Sequence, residues 1–241
     1  MLVQLIGGGW DDAARPGVYG PLLDVAGSGA RVACVVLDEG DGHEQFRRWE
    51  RVLLDTARCE PVPVLVPPGG LLDVADLGDA DALLVCGGLT PAYADALVPA
   101  AGELRAWLAA RDRPYAGFSA GTAVAGEHAL VGGWRVDGVP VCPEDAGEDL
   151  DEVGVVAGLG LVPGSFDVHA STWGTLGRAV AAVASGRARS CVAVDEGTAV
   201  QVVDGDARVV GTGAAWVVAR AAGGSVAVTR VTAGGSVPLG A

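Results

Sequence analysis

The chain has 241 residues, half of them hydrophobic, and a formal net charge of −14. This length suits one large α/β domain with ample core, and no apolar run is long enough to span a bilayer. The charge speaks against a nucleic-acid backbone or an anionic membrane as partner, mildly favours cationic ligands, and also serves solubility.

In chain order, Leu2 to Ile6 reads as a buried strand with no basic leader before it, so a strand is expected there and not a signal peptide. It runs into Gly7-Gly8-Gly9-Trp10-Asp11-Asp12. The three glycines do not complete G-x-G-x-x-G, and only Asp38 stands near the end of the second strand, so a dinucleotide site is not expected. Arg31 to Leu37 is that second strand. Asp41 and Glu44 then resemble a capping box for a helix carrying Phe46, Trp49, Leu53 and Ala57 at helical spacing, which marks those side chains as core. Val62 to Val66 and Ala82 to Cys86 are further strands, the latter followed by Gly87-Gly88-Leu89-Thr90-Pro91. Thr90 and Pro91 suit an N-cap and first helical position. A helix around Glu103 to Ala110 leads to a fifth strand.

That strand ends in Gly117-Phe118-Ser119-Ala120-Gly121, a G-x-S-x-G pattern. A serine at a sharp strand-to-helix turn has a strained backbone and an exposed hydroxyl. A helix beginning at Ala120 would add its positive end where a tetrahedral oxyanion forms. The pentapeptide also fits a glycine-rich turn that happens to hold a serine. Beyond it, Gly138 to Asp151 is acidic and loop-like, a flap or a solvated connection. Val155 to Phe166 leads into Asp167-Val168-His169, a helix follows from about Gly174 to Ala184, and Cys191 to Val194 is a strand ending at Asp195-Glu196-Gly197-Thr198. From Ala199 onward, Val-rich runs alternate with Asp-Gly and Gly-Gly turns, which predicts antiparallel hairpins. Alternating strands and helices predict a doubly wound, mostly parallel α/β sheet, flavodoxin-like, with an antiparallel C-terminal β extension and its ligands at the strands' carboxyl ends. No repeat or linker divides the chain, so residues 1–241 read as a single domain.

The five cysteines are widely spaced without C-x-x-C, which predicts reduced thiols in a cytoplasmic protein and neither disulfides nor a zinc site. All sixteen basic residues are arginine. Without lysine, a Ser–Lys dyad, a Schiff base and a P-loop lysine are excluded.

A serine nucleophile needs a base, and there are three histidines. His43 lies in a charged stretch beside a helix start, and His128 is expected in or just after the helix leaving the elbow. His169, at a strand end, is selected by position. The base in turn needs a carboxylate to fix its tautomer. Glu196 is the first candidate, and Asp167, two residues away on the same side of an extended segment, is the second.

The segments LIGGG at 5–9, CGGLT at 86–90, GFSAGTAVAG at 117–126, GLGLVPGSFDVH at 158–169, LGR at 176–178 and VDEGTAV at 194–200 resemble the peptidase E and cyanophycinase family of serine peptidases. They span nearly the whole chain in the family's order, and the last three favour the cyanophycinase branch. The resemblance implies a class I glutamine amidotransferase-like fold with Ser119 as nucleophile, His169 as general base and Glu196 as orienting acid. It also implies an oxyanion hole from the backbone N–H groups of Gly88 and Ala120, no metal or organic cofactor, and a homodimer.

The chain departs from that family where it binds substrate. Leu89-Thr90 replaces an acidic residue and glutamine, Val168 replaces a glutamine, and Trp173 and Thr175 replace two arginines, while Asp167 and Arg178 remain. Losing forked donors removes bidentate recognition of carboxylate and implies a more apolar pocket, with Trp10 and Trp173 as walls. The expected activity is hydrolysis of a small peptide or amide, as an exopeptidase or isopeptidase, with aspartyl or isoaspartyl peptides as candidate substrates. The alternatives are a catalytically silent scaffold with a binding role, and an ordinary esterase whose acid lies between Ser119 and His169, for example Asp137.

Overall fold

The computed structural model describes residues 1–240. In chain order the elements are β1 (Leu2–Ile6), α1 (Arg15–Ala26), β2 (Arg31–Leu37), α2 (Gly42–Thr56), β3 (Glu60–Val66), β4 (Ala82–Val85), α3 (Thr90–Leu97), α4 (Ala101–Ala109), β5 (Tyr115–Phe118) and α5 (Ala120–Ala125). Then come β6 (Gly126–Gly132), β7 (Arg135–Val136), β8 (Val139–Pro140), β9 (Gly154–Ala157), β10 (Val162–Val168), α6 (Leu176–Ser185), β11 (Ser190–Val194) and the C-terminal strands β12 (Thr198–Val203), β13 (Asp206–Gly211), β14 (Ala214–Arg220) and β15 (Val226–Thr232).

The strands divide between two large sheets. The first has the order β13-β12-β1-β5-β4-β2-β3 and the second β15-β14-β11-β10-β6-β9. Each has a parallel centre: β1, β5, β4, β2 and β3 in the first, and β11, β10 and β6 in the second. Antiparallel strands flank both centres. The wound parallel core and the antiparallel C-terminal extension are thus both present, with the extension shared: β12–β13 widen the first sheet and β14–β15 the second.

Two-residue periodicity explains the layers, since successive side chains of a strand face opposite ways. On one face of the first sheet, Val3, Leu5, Val35 and Val85 join Leu97, Leu104 and Val124 from α3–α5 and Phe166 and Val192 from the second sheet. The other face sets Ile6, Cys34, Val36 and Leu84 against Val18 and Leu22 of α1 and Phe46, Trp49 and Leu53 of α2. Ala179, Ala182 and Val183 of α6 cover the outer face of the second sheet. No helix among the described residues is long and apolar enough to cross a membrane.

Several local expectations need correction. The helix leaving the elbow is only six residues long, and β6 follows it directly, because strand pairing with β9 and β10 claims residues 126–132. His128 therefore sits exposed on a strand. Helix α2 does begin after Asp41, but the Asp41 side chain accepts a bond from Gln45 Nε2 and caps no backbone N–H. Thr90 is the first residue of α3, not its N-cap. Residues 138–151, most of them exposed as a solvated connection would be, also contain β8 and a turn of 3₁₀ helix, Glu144–Ala146, and several of them line the cleft described next.

Candidate active site

Three strands from the parallel centres of the two sheets end at the same rim. Ser119 follows β5 of the first sheet, while His169 and Glu196 follow β10 and β11 of the second. Ser119 has φ 50° and ψ −110°, a region that L residues enter only under constraint, at a cost of about 1–3 kcal/mol. Local bonds impose it. Ser119 N–H donates to Ile6 O at 3.0 Å, its own C=O accepts from Thr122 N–H at 2.8 Å, and the Thr122 hydroxyl reaches both Ile6 O and Gly117 O. The flanking glycines are required by close approach: a Cβ on Gly117 would strike the Gly121 carbonyl, and one on Gly121 the Val85 carbonyl.

Ser119 Oγ lies 2.8 Å from His169 Nε2, and His169 Nδ1 lies 2.7 Å from Glu196 Oε1. The imidazole is buried and Glu196 is 29% exposed. Burial lowers the His169 pKa, the hydrogen bond and charge of Glu196 pull it back up, and the net direction is below the ordinary histidine value. The ring is therefore neutral at physiological pH, able to accept a proton at Nε2 while Nδ1–H donates to the carboxylate. Trp173 stacks on the imidazole at 3.9 Å between centroids and 7° between planes. Gly8, at φ 106°, covers the imidazole so closely that any Cβ there would strike it. The opening glycine run, without a nucleotide pattern, thus serves as a backbone lid over a histidine.

The three side chains open into a cleft of about 920 Å³ whose lining includes Trp10, Gly88, Leu89 and Trp173. Gly87 packs against the elbow serine, where a Cβ would stand 3.3 Å from that of Ser119. Ala120 is buried directly after the serine. Trp49, expected as core, is indeed buried yet also lines the cleft, because Trp10 closes on it at 4.7 Å and on Phe118 at 5.1 Å.

Other candidates lie elsewhere. Asp167 and Arg178, placed among substrate-binding residues by the sequence, are outside the cleft lining and form a buried forked pair with bonds of 3.0 and 2.6 Å. Burial lowers the Arg178 pKa, but the Asp167 charge and bonds outweigh this and hold it above the ordinary arginine value. Arg178 also donates to Ala146 O, tying the acidic segment to the second sheet. Thr90 is buried and gives its N–H and hydroxyl to Glu148, whose carboxylate thereby caps α3 from across the cleft. Burial raises the Glu148 pKa, against those two bonds and the nearby Arg178. His43 is exposed on α2, and Asp137 is exposed and paired with Arg187.

The sequence missed Glu148, Asp149 and Asp151, which line the cleft, and Asp195, which accepts four hydrogen bonds beside Glu196. The acidic run was visible, but nothing local showed that it folds back over the elbow. Among the described residues no cluster of three or more His, Cys, Asp or Glu side chains could hold a metal ion.

Neither a protein-family model nor a curated protein matches the chain. Among solved structures, a peptidase from an acI-B1 Actinobacterium aligns with a TM-score of 0.66 and 17% identity, over 99% of this chain and 96% of that one. A protein of Listeria monocytogenes EGD-e, described provisionally as a peptidase E, aligns with a TM-score of 0.52 and 12% identity, over 96% of this chain and 98% of that one. At these identities the likeness is one of fold: a mixed α/β architecture with parallel-centred sheets, extending over nearly the full length of both proteins.

Proposed function

We propose that the chain is a serine hydrolase that cleaves a peptide or amide bond through Ser119, His169 and Glu196. The observation that carries this reading is the continuous Ser119–His169–Glu196 relay at 2.8 and 2.7 Å, with its nucleophile on a strained elbow at the floor of a cleft. The two peptidases of like fold supply the reaction class.

In the proposed reaction, Ser119 Oγ attacks the substrate carbonyl carbon while its proton passes to His169 Nε2. The carbonyl oxygen takes the negative charge, facing the backbone N–H groups of Gly88 and Ala120. Because α5 has only six residues, those N–H groups and not a helix dipole provide most of this stabilisation. Collapse breaks the C–N bond, and His169 returns the proton to the departing amine. Water then attacks the acyl ester, His169 takes a proton from it, and the carboxylic acid leaves as Ser119 recovers its hydrogen. Glu196 holds Nδ1–H throughout and stabilises the imidazolium.

The cleft lining also bears on the substrate. Glu144, Asp145, Glu148, Asp149, Asp151 and Glu196 face a single arginine, Arg48, itself 5.4 Å over the Trp10 ring. A field of this sign opposes an aspartyl side chain and favours a peptide bearing an ammonium or another cationic group between the indoles. The test is a panel of dipeptides and isoaspartyl peptides with acidic, neutral and basic side chains, with products identified by mass. The expected result is hydrolysis by the native protein, strongest for basic or neutral members, and none by Ser119→Ala. No cleavage of any member, or equal cleavage by Ser119→Ala, would overturn the proposal.

A further inference from the structure

Asp195 precedes Glu196 and lies outside the cleft lining, yet its carboxylate accepts bonds from three residues on two segments, the turn after β10 and strand β14. Ser171 donates to Oδ1 twice, through its N–H at 3.0 Å and its hydroxyl at 2.6 Å. Trp216 Nε1–H reaches the same oxygen at 3.0 Å, and Ala214 N–H reaches Oδ2 at 3.1 Å. The backbone completes the junction, with Asp195 N–H donating to Ala214 O at 2.9 Å. Ser171 lies two residues after His169, in a turn entered at a φ of 55°. Such a conformation persists only where its surroundings impose it.

One carboxylate therefore fastens the turn that carries the base, the residue next to the orienting acid, and strand β14 behind both. This turn is also held by backbone bonds, His169 N–H to Gly7 O, Ala170 N–H to Val194 O, Trp173 N–H to His169 O and Leu176 N–H to Ala170 O, and by the Thr175 hydroxyl on Val168 O. The acid's far side is held by Gly197 N–H to Gly8 O, Thr212 N–H to Gly197 O and the Thr198 hydroxyl on Glu196 O. Each bond to the Asp195 carboxylate is charge-assisted and stronger than any one of these, and only that carboxylate joins the turn, the acid's neighbour and β14 at one point.

From this geometry we infer that Asp195 is a positioning residue for the hydrolysis: it sets the separation and angle between the His169 imidazole and the Glu196 carboxylate. The inference rests on the serine-hydrolase reading above. Asn at 195 keeps the shape but turns an NH₂ toward groups that are all donors. The turn and the acid would then shift relative to one another while the elbow, bonded within the first sheet, stays in place.

The test uses the full-length protein and its Asp195→Asn, Ser171→Ala and Trp216→Phe variants. Far-ultraviolet circular dichroism checks folding. The readouts are the rate of Ser119 acylation by a fluorophosphonate, kcat and KM on the best peptide of the panel, and the downfield proton resonance of His169 Nδ1–H. For Asp195→Asn the expected result is about a 100-fold slower acylation and lower kcat, since a displacement of about 1 Å costs that much, with KM nearly unchanged and the downfield resonance lost. Ser171→Ala and Trp216→Phe should each lose about 10-fold, as one of the four bonds is removed. Should Asp195→Asn fail to fold, those two milder variants decide. Native acylation rate and an unchanged resonance in the folded variants overturn the inference and leave the hydrolase reading standing. An unlabelled native protein overturns both.

Discussion

The proposed nucleophile and its proposed base belong to different sheets and are held by different means. Ser119 is fixed within the first sheet, by Gly117, Gly121 and Thr122 of its own turn and by Ile6 O of β1, which accepts from Ser119 N–H and the Thr122 hydroxyl. His169 and Glu196, in the second sheet, lie 27 residues apart and are held by Gly7, Gly8, Val194 and Asp195. The elbow is held within one sheet, and the base–acid pair by parts of both. Perturbing residues around the pair should therefore disable it and spare the elbow, and the buried Asp167–Arg178 ion pair offers a contrast between function and stability.

The largest expected effect is on the pair itself. His169→Ala should lower kcat by about 10⁶-fold and Glu196→Gln by about 10⁴-fold, with little change in melting temperature, measured by steady-state kinetics beside thermal unfolding. If Glu196→Gln retained most of the activity, the carboxylate would have no orienting role. The Asp167–Arg178 pair should behave in the reverse way. Arg178→Met leaves Asp167 buried without its partner and should cost about 3–5 kcal/mol in denaturant unfolding, while Asp167→Asn with Arg178→Met recovers much of that. A stable Arg178→Met protein with a raised KM would return Arg178 to substrate binding. Gly8→Ala drives a methyl group into the His169 ring and should cut kcat about 100-fold, with fluorophosphonate labelling reduced in parallel.

The smallest effect is on pH. Burial lowers the His169 pKa below its ordinary value of about 6.5, and the base must be neutral to act. The acid limb of kcat/KM should thus have its midpoint below 6.5, with activity lost as pH falls through it. Glu196→Gln removes an interaction that raises this pKa and should move the limb further toward acid. The stability contribution has the same sign. It is full above the unfolded value and declines as pH falls through the folded one, because the unfolded chain takes up the proton first. A native midpoint at or above 6.5 would contradict this environment.

What was legible in the sequence follows a division between local and long-range. The strands of the first sheet, the elbow serine and the C-terminal hairpins were readable because apolar runs, glycine spacing and turn pairs are local signals. The split into two sheets was not, since a Val-rich run does not say which sheet it joins. The choice between Asp167 and Glu196 also turned on distant structure. Alternation along an extended chain would put Asp167 beside His169, but the chain leaves the strand at His169 with a positive φ, and Asp167 meets Arg178 instead. Asp195 carried no signal at all, because its donors are Ser171, Ala214 and Trp216, each about twenty residues away.

The central claim, that Ser119 is a nucleophile activated through His169, is tested most directly by intact-mass analysis after treatment with a fluorophosphonate. The native chain should gain the mass of one phosphonyl group, Ser119→Ala none, and His169→Ala only a trace over the same interval. An unmodified native chain between weakly acidic and basic pH, or an adduct that persists in Ser119→Ala, would contradict it.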